Sequence, residues 1–258
     1  MRITSRSNGR IKEIIKLMSS GRFRAESGLF VVEGMRLCAD AMQSDISFRT
    51  LIISDTAAEK HTETVKELEH ISCETITLPD SLFDTLSDTK SPQGIMAVCE
   101  KPNYTATIKT GGKYIALENL SDPANLGTIS RTAEAIGLDA LILSNDSCDP
   151  YSPKALRAGM GSLFRIPVII TDDFIGDIKS MKESGFRVYA AVVQPDALSI
   201  KEADFSGGLV AIIGNEGNGL TDEVKSAASA QVTIPMKGRS ESLNAAAAAS
   251  ILIWEMFK

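Results

Sequence analysis

From Lys113 onward the chain alternates short β-branched runs with helical patterns of about ten residues, and this alternation confines it to one architecture. KYIALEN, ALILS, RIPVII, FRVYAAVV, LVAIIG and QVTIP read as six strands. A helix spans Leu126 to Ile136, with Asn125 placed as its N-cap and Gly137 just past its end. Ser152-Pro153 opens another helix in the cap-then-proline order. DFIGDIKSMKES is a third, stopped by Gly185; a short one ends near Ser229, and the last begins at Leu243. Strands separated by helices predict a mostly parallel sheet covered on both faces.

The first hundred residues form a smaller α/β unit. Ile11, Ile14, Ile15 and Met18 repeat at helical spacing. LFVVE, FRTLIIS, CETITL and GIMAVCE are strands, with GMRLCADAMQS, a charged stretch ending near His70 and SLFDTL as helices. No catalytic constellation occurs there, so residues 1–100 read as a binding or positioning module. KPNYTATIKTGG, residues 101–112, is the connector by its Pro, Gly, Thr and Lys content, and 113–258 is the second domain.

Composition narrows the chemistry. With 43% hydrophobic and 23% charged residues the chain has the make-up of a soluble globular protein. The opening MRITSRSNGR lacks the apolar run of a secretory signal, and Ala245 to Trp254 is too short to span a bilayer. Cys38, Cys73, Cys99 and Cys148 are scattered without metal-ligand spacing, which fits a reducing cytoplasm and no metal site. The only histidines, His61 and His70, lie in a charged helical stretch, so a histidine-based triad has no promising member. The net charge is −6, yet residues 1–24 hold seven cations against the single acid Glu13. A basic arm on an acidic body is a phosphate-binding footprint, with Arg6, Arg10, Arg22 and Arg24 as candidate nucleic-acid contacts.

Three polar strand-to-helix junctions stand out: LENLSDPANLGTISRTAEAIG (117–137), IIGNEGNGL (212–220) and VTIPMKGRSESLNAAAAA (232–249). In the third, Ser242 and Asn244 bring hydroxyl, carboxamide and free backbone N–H groups together where the helix begins. Three such corners suggest one ligand site at the carboxyl ends of a parallel sheet. GNEGNG has neither the register nor the location of a dinucleotide fingerprint, and no Walker sequence occurs. The run Ala245 to Ala249 lets another backbone approach closely, and a partner subunit is one candidate.

These junctions resemble, in order and spacing, the three signature motifs of the SpoU (TrmH-like) RNA ribose 2′-O-methyltransferases of the SPOUT superfamily. NLGTISRTAEAIG carries Asn125 and Arg131, IIGNEGNGL carries Glu216, and IPMKGRSESLNAAAA carries Ser242 and Asn244. FVVEGMRL and SPQGIMAV are similar to the family's substrate-binding domain. The resemblance implies a homodimer joined through the C-terminal domain, a deep trefoil knot in that domain, and S-adenosylmethionine as methyl donor. It further implies that Gly214, Ile234 and Leu243 hold the donor's adenine and ribose. The expected substrate is ribosomal RNA, with transfer RNA or a catalytically silent RNA-binding role as alternatives. The sulfonium activates its own methyl group, so the chemistry requires no metal. The family places Arg131 at activation of the 2′-hydroxyl. Since a guanidinium stays protonated in ordinary settings, a cationic clamp on phosphate and alkoxide suits it better than a base. Asn125, Ser242 and Asn244 would orient the reactants, and Glu216 would fix the loop or orient Arg131.

Overall fold

The computed structural model describes residues 1–102 and 107–258, so part of the expected connector, residues 103–106, lies outside the described residues. The chain separates into two compact units, Met1–Asn103 with Tyr151–Phe164, and Tyr104–Pro150 with Arg165–Lys258.

In the first unit α1 (Gly9–Ser19) and α2 (Gly21–Ser27) precede β1 (Leu29–Glu33), α3 (Met35–Gln43) and β2 (Phe48–Ser54). There follow α4 (Asp55–Lys60), α5 (Thr62–Ile71), β3 (Ser72–Leu78), α6 (Asp80–Asp84) and β4 (Ile95–Glu100). The sheet order is β1-β4-β2-β3. β4 runs antiparallel to both β1 and β2, whereas β2 and β3 are parallel. Ile11, Ile14 and Leu17 bury one face of α1, with Ile15 and Met18 at its margin. Gly94, at φ +75°, lets β4 start against Ser54 and Ala57, whose side chains a Cβ would overlap. The first residues are no loose arm: Ile3 donates to the Thr77 carbonyl (3.0 Å) and Thr77 to that of Met1 (2.8 Å), extending the sheet beyond β3.

The second unit begins with β5 (Lys113–Leu117), α7 (Pro123–Ile136) and β6 (Ala140–Ser144). The next helix, α8 (Pro153–Gly159), is capped by Ser152 as expected but belongs to the first unit. Its segment is anchored there by Tyr151 and Phe164, whose rings lie 4.9 and 6.1 Å from that of Phe30. The second unit resumes with β7 (Val168–Thr171), α9 (Phe174–Glu183), β8 (Arg187–Ala191), β9 (Leu198–Ser199) and β10 (Leu209–Ile213). It ends with α10 (Asp222–Ala227), β11 (Ala230–Thr233) and α11 (Ala245–Phe257). Its seven strands are all parallel, in the order β7-β6-β5-β10-β8-β11-β9. The two-residue β9 is the strand the sequence pattern missed.

Side chains alternate cleanly across this sheet. Ile115, Leu117, Leu209, Ala211 and Ile213 face a core completed by α7 and α11. Tyr114, Ala116, Val210 and Ile212 face one completed by α9 and α10. Burial on both faces explains why these strands read as continuous apolar runs. The alanine run of α11 finds its close neighbour within the chain: Ala245, Ala246 and Ala249 are buried in the core shared with α7. A hydroxyl pair, Thr132 to Ser250 at 3.0 Å, links the same two helices.

Candidate active site

The site follows from strand order. β10 inserts beside β5 with Ile213 opposite Leu117, so the loops leaving these two strands start side by side. Crevices at such carboxyl ends are where parallel sheets hold ligands. After Leu117 the chain turns through Asn119, in the left-handed region at φ +53°, and α7 begins under an Asp122 cap with Pro123 in its first turn. Asn125 is therefore not the N-cap that the sequence suggested. The Asp-Pro pair two residues earlier starts the helix, which leaves the Asn125 carboxamide free for tertiary contacts.

Those contacts join the three corners. Glu216, from the β10–α10 turn, accepts from the Ser121 backbone (2.9 Å) and hydroxyl (2.6 Å), the Asp122 backbone (2.9 Å) and Asn125 Nδ2 (2.8 Å). It supplies a carboxylate to the start of α7, where unpaired N–H groups and the helix dipole favour an anion. Burial alone would raise its pKa. The hydrogen bonds from Ser121, Asn125 and Asp122 outweigh that and lower it from 4.5 to about 2. Because a carboxylate only accepts, Asn125 must turn its NH₂ toward Glu216 and its oxygen away. That oxygen accepts from Asn244 Nδ2 (3.0 Å), and the Asn244 oxygen then caps α11 by accepting from Ala246 (2.9 Å) and Ala247 (3.3 Å). One ionised group thus sets the donor and acceptor sense of both amides.

The glycine turn is equally constrained. A Cβ on Gly214 would overlap the backbone of Gly219 and Leu220, so only glycine lets the turn close. Asn215 and Gly219 exchange backbone hydrogen bonds at 3.1 and 2.9 Å. The Asn215 side chain accepts from Gly217 and Asn218 and donates to the Asn119 carbonyl (2.8 Å). Buried Glu118 crosses the other way, accepting from the Thr221 backbone (2.9 Å) and hydroxyl (2.6 Å) at the start of α10. Sequence reasoning missed Glu118, Asn119, Ser121 and Asn215 as members of the site. Their partners lie about a hundred residues away, and no local pattern marks them.

A cleft of about 350 Å³ opens beside these corners. Ile213, Ile234, Leu243 and Leu252 give it apolar walls, while Gly214, Glu216, Ser242 and Lys225 line its polar side. Gly214, Ile234, Ser242 and Leu243 thus share one cavity with Glu216, which also belongs to the hydrogen-bond chain. Arg131 is exposed on α7, six residues beyond Asn125 and so about 9 Å along the helix axis. It does not line the cleft. Burial, aided by the Glu216 and Asp122 carboxylates, pushes the nearby Cys148 thiol up to about 12, favouring the protonated form.

The basic N-terminal residues are more occupied than charge counting suggests. Arg24 is buried, and its guanidinium donates to the Leu17 (2.6 Å) and Met18 (3.3 Å) carbonyls at the end of α1. It is a helix cap, which removes it from the candidate RNA contacts. Arg10 pairs with Glu74 (3.2 Å) and Glu13 (3.8 Å), and Arg22 with Glu26 (2.7 Å), all at the surface; Arg6 is exposed. No group of three metal-ligating side chains occurs among the described residues, and no described helix is long and apolar enough to cross a membrane.

The second unit is a parallel α/β sheet with a ligand-sized cleft at the carboxyl ends of its strands, the architecture of a small-molecule-binding α/β domain. The sequence pattern of the SpoU rRNA methylase family matches residues 112–254, and that of the MRM3-like substrate binding domain matches residues 8–97. The chain belongs to the SpoU family, as its motifs implied. It is 32% identical over 255 residues to the 23S rRNA (guanosine(2553)-2′-O)-methyltransferase RlmP of Bacillus subtilis, covering 98% of each chain. The crystal structure of an AdoMet-bound rRNA methyltransferase from Sinorhizobium meliloti matches with a TM-score of 0.86 at 30% identity, covering 99% of this chain and 97% of that one. The SpoU methyltransferase AviRb of Streptomyces viridochromogenes, in complex with AdoMet, matches with a TM-score of 0.86 at 25% identity, covering 97% of each.

Proposed function

We propose that the chain transfers a methyl group from S-adenosylmethionine to a ribose 2′-hydroxyl of structured RNA, ribosomal RNA in preference to transfer RNA. The observation that carries this reading is the hydrogen-bonded chain Glu216–Asn125–Asn244, which ties all three motifs together at one cleft. The cleft suits the donor in size and character, being within the range of small-molecule sites with apolar walls and a few convergent polar groups. When bound, S-adenosylmethionine supplies a methyl group already activated by sulfonium charge.

The chain's own residues then have distinct tasks. Gly214, Ile234 and Leu243 hold the adenosine part, aliphatic side chains covering the ring while backbone groups read its edge. Asn125, Asn244 and Ser242 orient the reactants through neutral hydrogen bonds, with both amides locked in sense by Glu216. The Arg131 guanidinium clamps RNA phosphate and stabilises the alkoxide that develops as the hydroxyl attacks. In the first unit Arg6, Arg10 and Arg22 grip RNA by phosphate and shape. The reading also includes a cytoplasmic homodimer joined through the second unit, whose α11 exposes Trp254 and Phe257, and the family's trefoil knot.

The test is transfer of labelled methyl groups into ribosomal and transfer RNA, followed by mapping of the modified ribose. Label in ribosomal RNA supports the reading, and label in transfer RNA alone corrects the substrate. Cofactor binding without any label in RNA would make the chain a silent binder. Arg131→Ala should abolish turnover while leaving cofactor affinity nearly intact; parallel losses of both would refute the role given to that residue.

A further inference from the structure

We propose that Lys225 binds the carboxylate of the methyl donor's amino-acid tail, an inference that rests on the cofactor reading above. The cleft is lined by two charged side chains, Glu216 and Lys225. Glu216 directs both oxygens at the α7 corner, where they accept four hydrogen bonds. Lys225 is the cation of the cavity. Its side chain is 24% exposed, whereas Asp222, its partner at 3.0 Å, is 98% exposed. Lys225 thus lines the cleft with most of its side chain covered, while the carboxylate it pairs with stands in water, within reach of the cleft mouth rather than inside it. An exposed pair three residues apart on one helix contributes only about 0.2–0.5 kcal/mol, so a ligand anion can replace it at little loss. An ammonium has three protons to donate, and the contact with Asp222 uses one.

The ligand's chemistry supplies the complement. S-adenosylmethionine carries a flat aromatic base with apolar faces and a polar edge at one end and an amino acid at the other. The base suits the walls made by Ile213, Ile234, Leu243 and Leu252. Its carboxylate leaves water on binding and needs a cation or several donors in compensation. Lys225 offers the charge, and Gln194 and Asn218 of the same lining offer neutral donors.

Titration calorimetry of Lys225→Met with two nucleosides tests this: S-adenosylhomocysteine, which keeps the tail, and 5′-methylthioadenosine, which lacks it. The expected result is a loss of about 10-fold in affinity for S-adenosylhomocysteine, the scale of one charge-assisted contact. The affinity for 5′-methylthioadenosine should stay the same, which also reports that the cleft is intact, and Lys225→Arg should retain most of the tail's contribution. Equal weakening of both ligands would place Lys225 against the adenosine and overturn the proposal, as would unchanged binding of both. Wild-type protein that binds neither nucleoside would overturn the cofactor reading itself, a different failure from a wild type that binds both while the variant matches it.

Discussion

Two carboxylates cross between neighbouring strand ends in opposite directions. Glu118 leaves the β5 corner and meets the start of α10, while Glu216 leaves the β10 corner and meets the start of α7. Each satisfies backbone and hydroxyl donors at a helix start on the other strand's loop. Their surroundings differ: Glu118 is buried with all its bonds in one place, and Glu216 stands at the cleft with one bond passed on through Asn125 to Asn244. The same chemical exchange therefore does two jobs, holding the sheet's corners together in one case and ordering the amides beside the cleft in the other.

Substitution should separate these jobs. Glu216→Ala leaves Asn125 free to flip and the third corner unguided; misplacement of this kind costs about 100-fold in turnover, measured as methyl transfer at saturating donor. Loss of stability without loss of turnover in the folded fraction would erase the contrast. Glu118→Ala should do the reverse. It strands the Thr221 donors and costs about 1–3 kcal/mol in urea unfolding, with turnover per folded molecule preserved. The smallest effect is on pH dependence. Because the folded-state pKa of Glu216 is depressed from 4.5 to about 2, its stabilising contribution is fully present above the unfolded value. That contribution fades as pH falls from about 5 toward about 2. Glu216→Gln should therefore show shallower acid destabilisation across this window than the parent protein.

Much of this arrangement was readable before any fold was known, and the boundary is physical. The strands LFVVE, FRTLIIS and ALILS were delimited to the residue, because apolar runs between turn residues are local signals. The second and third motifs supply residues that line the cleft, and Asn125 of the first joins them through its hydrogen bonds to Glu216 and Asn244. Asn125 has the chemistry of an N-cap, but Asp122-Pro123 carries the same cap-then-proline signal as Ser152-Pro153 and starts the helix at Pro123. Arg24 could not be recognised as buried, since its hydrogen bonds to the carbonyls at the end of α1 are tertiary and charge counting treats every arginine as solvated. The Glu118–Thr221 clasp spans 103 residues and is visible only in three dimensions.

The long reach of these contacts has a consequence for how the protein comes into being. The N-terminal end of α7 is completed by a residue 91 to 95 positions downstream, and its Asn125 by one 119 positions downstream. While the polypeptide is still emerging from a ribosome, α7 exists without the groups that finish it. The hydrogen-bonded chain Glu216–Asn125–Asn244 is thus absent from the nascent chain and closes only after Asn244 has been translated.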